Sequence, residues 1–232
     1  MREIVFDTET TGLNPANGDR IVEIGCIEIV NRVETGRHFH AYFNPERDMP
    51  AEAEAVHGLS AIFLSDKPRF AEKVDELLEF IEDSPLVAHN AGFDFGFLNF
   101  ELEYCGRAAV AMQRMVDTLT LARAKHPGAK HSLDALCVRF GIDRSQRVKH
   151  GALLDAQLLA QVYVELTGGR QIGLGLVAES GTVTVRHSAQ PVTTREPRPP
   201  RPHAPLVEEL ERHRAFIAKL ANPLWERFLG AG

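Results

Sequence analysis

Cysteine is scarce in this 232-residue chain: Cys26, Cys105 and Cys137 are odd in number and far apart. That excludes a disulfide framework, and no Cys-x-x-Cys or Cys/His spacing offers a zinc site. The three read as reduced, core-type residues of a cytoplasmic protein. Long apolar runs are missing as well. None approaches the roughly 20 residues of a membrane span, and the N-terminal MREIVFDTE passes from charge straight into a strand-like run with no leader pattern. A soluble protein without a membrane partner is expected. There is also no basic excess: 26 Lys and Arg against 32 Asp and Glu leave a net charge of −6. No global footprint for nucleic acid results. A metal-dependent nuclease is not excluded, because its centre needs carboxylates and only local Lys and Arg need hold the strand.

What is present is a 44% hydrophobic chain, enough for a sizeable core. Residues 3–7 form a short apolar run that predicts a central strand. Residues 20–30 and 36–44 alternate, with Asn31-Arg32 near a turn between them, so a hairpin is expected. Val74, Leu77, Leu78 and Ile81 recur at helical spacing within 70–82. Strands are expected at 86–90 and 114–118, and helices at 92–104, 118–125, 132–140 and 152–166. The last is stopped by Gly168-Gly169. A hairpin followed by alternating strands and helices predicts a mixed α/β sheet with helices packed on it, occupying residues 1–169.

The stretch VFDTETTGL raises the functional question. In a strand, Asp7 and Glu9 point to the same side. Two carboxylates so placed raise each other's pKa unless a cation lies between them. A hard divalent ion with oxygen ligands fits; a solvated edge with two ordinary acids is the plainer reading. Asp94, in HNAGFDFGFL, follows a strand in the first turns of a helix, among phenylalanines where an unpaired acid is costly. In HGALLDAQ, Asp155 opens a helix and His150 precedes it on a loop. In AEAEAVHGLS, His57 and Glu52 are placed to line a cleft. Strand ends and helix starts are where α/β sheets build clefts. Four carboxylates in one cleft call for two divalent cations, which can clamp the attacking and leaving oxygens of a phosphoryl displacement. A histidine alongside can take a proton from water.

The ordered set FDTETTGL, VHGLS, HNAGFDFGFL and HGALLDAQ resembles the DEDDh 3′-5′ exonucleases, and most of all the proofreading members that serve bacterial replicative polymerases. The resemblance spans residues 1 to about 170 and implies a ribonuclease H-like fold with a five-stranded mixed sheet. It implies that Asp7, Glu9 and Asp155 hold a first Mg2+ or Mn2+. Asp7 would bridge to a second, which Asp94 supports directly or through water, with His150 as general base. Thr10, Leu13, Glu52, His57 and Phe93 match positions that receive the terminal nucleotide of a single-stranded or frayed DNA 3′ end. Leu13 and Phe93 would wedge or stack on it, and Thr10 and Glu52 would make polar contacts.

The tail follows different physics. Residues 170–190 connect, and 191–205 hold six prolines, a stiff extended linker. Residues 206–232 again have helical character, with Leu206, Leu210, Ile217, Leu220 and Leu224 along one stripe and Asn222-Pro223 opening a second segment with Trp225, Phe228 and Leu229. A short helix behind a linker is expected to bury its stripe on a partner, here the polymerase catalytic subunit. QIGLGL at 171–176 looks like a sliding-clamp docking motif, with Gln171, Leu174 and Leu176 as its anchors. A small accessory subunit on the nuclease domain is left open. Two rivals stand beside the proofreading reading: an RNA-trimming member of the same family, and an adaptor between clamp and polymerase with a retired nuclease domain.

Overall fold

The computed structural model describes residues 1–147, 149–169 and 205–220. These fall into two units, the first holding residues 1–169 and the second 205–220. In the first, β1 (Arg2–Thr10), β2 (Ile21–Val30) and β3 (Val33–Tyr42) make an antiparallel meander. Asn31 and Arg32 turn β2 into β3 with φ of 51° and 67°, the left-handed pair that matches strand twist in a two-residue hairpin. Then come α1 (Ala51–His57), α2 (Ala61–Leu64), α3 (Phe70–Ile81), β4 (Leu86–Ala88), α4 (Gly92–Tyr104), β5 (Met115–Asp117), α5 (Thr118–Lys125), α6 (Leu133–Phe140) and α7 (Ala152–Leu166). β4 and β5 add in parallel beside β1, giving the order β3-β2-β1-β4-β5. This is the expected five-stranded mixed sheet with flanking helices.

Differences lie at the ends of elements. β1 runs three residues beyond the predicted 3–7, because Thr8, Glu9 and Thr10 stay paired with β2 across a bulge at Glu9/Thr10. β4 and β5 shrink to three residues each. The short helices α1 and α2 were not resolved as elements by periodicity. Gly58 ends α1 at φ 78°, and the Ser60 hydroxyl accepts from the Phe63 N–H at the start of α2.

Alternation along β1 builds the two cores and then the site. Ile4 and Phe6 pack with Val74, Leu77 and Ile81 of α3 and with Phe95, Leu98 and Leu102 of α4. Val5 faces the other way, onto Ala156, Leu159 and Ala160 of α7. Continuing the same alternation puts Asp7 and Glu9 on the α7 side and Thr8 on the α4 side. Gly25 pairs opposite Asp7 in the sheet, and a Cβ there would overlap the backbone of Ala152 and Leu153. Its missing side chain lets the first turn of α7 settle on the sheet beside Asp7.

In the second unit, α8 (Val207–Ile217) leaves Leu206, Val207, Leu210, Phe216 and Leu220 exposed. Gln171, Leu174 and Leu176, the prolines of the linker before Pro205, and Leu224, Trp225, Phe228 and Leu229 lie outside the described residues. No helix among the described residues is long and apolar enough to cross a membrane.

Candidate active site

Three elements deliver carboxylates to one place. The C-terminal half of β1 supplies Asp7 and Glu9, the first turn of α4 supplies Asp94, and the first turns of α7 supply Asp155. Glu9, Asp94 and Asp155 are buried and Asp7 is partly so. Ligand atoms of Glu9, His150 and Asp155 lie within 4.8 Å of one another. His150 is half exposed on the loop before α7, its Nδ1 3.4 Å from Asp155 Oδ2. Its backbone N–H reaches the Val56 carbonyl at 3.4 Å, which ties this loop to α1. Asp94 is fixed by Thr8, whose N–H and hydroxyl both donate to Asp94 Oδ1, at 3.1 and 2.7 Å. The turn before α4 is held by Asp117, which accepts from the N–H groups of Asn90 and Ala91.

The electrostatics are those of a site built for cations. Burial pushes the Glu9 carboxyl up to about 8, helped by the charges of Asp155 and Glu23. Burial lifts Asp94 to about 7 against the opposing effect of the Thr8 hydrogen bonds. Asp7 is raised well above the ordinary range by burial and then by Asp94, Glu9 and Asp155. Each of the other three carboxylates therefore acts on Asp7. Such a set relaxes when positive charge enters, and oxygen donors with one imidazole suit hard divalent ions.

The sign of the linkage gives a prediction. Groups whose pKa is raised on folding stabilise the folded state below their ordinary range, and that contribution is lost as pH climbs through the folded value. Chelator-treated protein should therefore lose melting temperature between about pH 5 and pH 9, most steeply from about pH 5 to pH 7, where all three groups are ionised in the unfolded chain and still protonated in the folded one. Millimolar Mn2+ should flatten the profile. A chelated protein whose melting temperature rises over that window would contradict the assignment.

Thr10, Leu13, Glu52, His57 and Phe93 all line one 540 Å³ cleft between the end of β1, α1 and the start of α4. Leu13 and Glu52 are exposed at its mouth, and Phe93 is half-buried against Phe97. His57 is buried, and its Nδ1 accepts from the Leu59 N–H at 3.0 Å. Nε2 then carries the proton; it lies near the Thr10 carbonyl without reaching hydrogen-bond geometry. Burial lowers the His57 pKa. A second cleft, of 660 Å³, adjoins the acids from the other side and is lined by His89, Arg123, His131, Arg147 and His150 among others.

Several residues at the centre escape sequence reasoning. Arg147 binds Asp155 with both arms of its guanidinium, and Thr8 anchors Asp94. Buried Glu23 pairs opposite Glu9 and is held by His40 at 2.7 Å. Glu23 carried a signal, an acid amid the apolar run IVEIGC. Arg147 carried little, since a basic residue in SQRVKHG reads as an exposed loop.

The model of the RNase T exonuclease family matches residues 4–163. The chain belongs to this exonuclease family. Curated relatives of the exonuclease include the DNA polymerase III subunit epsilon of Rickettsia felis, 51% identical over 223 residues, which cover 95% of this chain and 97% of that protein. The Escherichia coli K12 protein of the same name is 48% identical over 176 residues, 73% of this chain and 72% of the relative. Among solved structures, Exonuclease X in complex with 5′-overhanging duplex DNA superposes with a TM-score of 0.56 at 25% identity, covering 71% of this chain and 90% of its own. The nuclease domain of 3′hExo, a DEDDh family member bound to rAMP, reaches a TM-score of 0.62 at 16% identity, over 72% of this chain and 91% of that one. That likeness is one of fold. Family membership implies an exonuclease that works with divalent metal ions.

Proposed function

We propose that this exonuclease is the proofreading subunit of a bacterial DNA polymerase III, removing mismatched 3′-terminal nucleotides as 5′-mononucleotides. The observation that carries the reading is the convergence of Asp7, Glu9, Asp94, Asp155 and His150 beside a 540 Å³ cleft. Relatives named for that subunit, at about half identity, support the cellular role.

In this reading Asp7, Glu9 and Asp155 would hold one Mg2+ or Mn2+, and Asp7 with Asp94, directly or through water, would hold a second. Two such ions would supply positive charge to offset the negative charge that in-line displacement develops on the attacking and leaving oxygens. His150, half exposed and next to Asp155, takes a proton from the attacking water. The bond from phosphorus to the 3′-oxygen of the penultimate nucleotide breaks, and that oxygen is protonated from solvent. The terminal nucleotide sits in the cleft with Leu13 and Phe93 against its base and sugar, while Thr10, Glu52 and the His57 Nε2–H face its polar groups.

Selection for errors follows from fraying. Stacking is worth about 1.4 kcal/mol per step, so a paired end resists entry into a narrow cleft more than a mismatched one does. Tethering to the polymerase raises local concentration. The exposed apolar residues of α8 support docking of residues 206–232 on the catalytic alpha subunit, and the QIGLGL motif supports a clamp contact through Gln171, Leu174 and Leu176. The bacterial cytoplasm, where the replicating chromosome lies, is its place of work.

The test is digestion of 3′-labelled primers by the full chain with Mn2+. A mismatched DNA end should be shortened fastest, a matched end more slowly and RNA of the same sequence least. Preference for RNA would move the protein to the RNA-trimming branch, and no digestion at all would favour the adaptor.

A further inference from the structure

The positive charge closest to the acidic centre is one the chain provides itself. Arg147, with a side chain only 9% exposed, donates from Nε to Asp155 Oδ1 and from Nη2 to Asp155 Oδ2, both at 2.6 Å. Nη2 also lies 2.9 Å from His150 Nδ1. A guanidinium has only donors and stays charged, so the imidazole Nδ1 must be the acceptor. One side chain thus engages both oxygens of Asp155 and a lone pair of His150. Charge-assisted, two-armed pairs of this kind are among the strong hydrogen bonds of proteins.

We propose that Arg147 is an exchangeable counter-cation: it latches Asp155 and His150 together, and a divalent ion binds Asp155 only by displacing it. The inference rests on the divalent-ion reading of Asp155 given above. An ion that takes the Asp155 lone pairs the guanidinium occupies breaks the two-armed bond, and the same displacement frees the His150 Nδ1 lone pair. Cation binding and arming of the base become one event. The guanidinium has somewhere to go. Its third nitrogen, Nη1, is 3.3 Å from Asp134 Oδ2, an acid on α6 with a half-exposed side chain. The arginine can stay paired there as it leaves Asp155, which avoids stranding a partly buried charge. Until exchange occurs, the charge of Arg147 partly offsets the crowded carboxylates Asp7 and Glu9.

The experiment is Mn2+ binding to chelator-stripped full-length protein without DNA, followed by the magnetic-resonance signal of free Mn2+. Wild type is compared with Arg147→Gln, Arg147→Lys and a control, Arg123→Gln, which removes a charge lining the same cleft but not bonded to Asp155. Arg147→Gln should bind the tighter ion about tenfold more strongly or better, since no fork has to be displaced. Arg147→Lys, a point charge without a fork, should fall between, and Arg123→Gln should shift the constant by no more than about twofold. Equal shifts in the Arg147→Gln and Arg123→Gln proteins would reduce the effect to a general field and overturn the exchange. So would wild-type or weaker affinity in Arg147→Gln. If Arg147→Gln does not fold, Arg147→Lys decides: tighter binding than wild type supports the latch, and equal or weaker binding overturns it. Absence of Mn2+ binding in every form would overturn the metal reading itself, and the latch with it.

Discussion

Replacing Asp7 with asparagine is expected to cut exonuclease activity roughly a thousandfold, the scale on which removing one preorganised electrostatic group from a reaction centre falls. The same change should raise the melting temperature of the chelator-treated protein. Both effects have one cause. Asp7 is the carboxylate on which Glu9, Asp94 and Asp155 all act, and burial together with those charges lifts its pKa. An amide of the same shape removes a repulsive charge from the apo centre and, with it, the proposed ligand shared between two ions. Stability and activity then move in opposite directions, as they do at sites where function demands a strained arrangement. Primer digestion in Mn2+ and thermal melts in chelator, on the same preparation, measure both. An Asp7→Asn protein that kept near-wild-type activity would remove Asp7 from the chemistry. One that lost activity together with much of its chelated melting temperature would show a structural role instead.

What could be read beforehand tracks how local each feature is. The same-side placement of Asp7 and Glu9 needed only strand alternation, and the buried Ile4, Val5 and Phe6 show that strand packed on both faces. α3 was legible because Val74, Leu77 and Ile81 repeat at helical spacing, and all three are buried. α4 was placed by its phenylalanines, of which Phe95 and Phe97 are fully buried. The bulge that carries β1 on through Thr10 depends on pairing with β2, a partner distant in sequence. Arg147 depends on how the α6–α7 loop folds back over α7, and no period encodes that. Glu101 was hidden in the same way. It sits on the buried face of α4, and only the fold reveals that Arg20, 81 residues away, is its partner. Within the tail, periodicity suggested a stripe from Leu206 to Leu224; α8 takes up Val207–Ile217, and Val207, Leu210 and Phe216 on it are exposed.

That buried pair sets the largest expected loss of stability. Arg20 donates from Nε to Glu101 Oε1 at 2.8 Å and from Nη2 to Oε2 at 2.7 Å, and the Ile21 N–H adds a third bond to Oε1 at 3.2 Å. The Glu101 side chain is fully buried, and the Arg20 guanidinium stacks 4.5 Å from the Tyr104 ring centroid. Together they fasten the start of β2 to α4, the helix that carries Asp94. Arg20→Met keeps an unbranched apolar stem but leaves a carboxylate inside the protein with the Ile21 N–H as its donor. Stranding a buried charge costs about 3–5 kcal/mol, and urea unfolding should show a loss of that size. Removing the charge as well should recover most of it, because exchanging an ion pair for apolar groups of similar volume is often close to neutral. The double variant Arg20→Met/Glu101→Met is therefore expected to be clearly more stable than Arg20→Met alone, with a coupling energy of a few kcal/mol in the cycle. A double variant as unstable as the sum of the two single changes would show that packing, rather than the stranded charge, dominates at this joint.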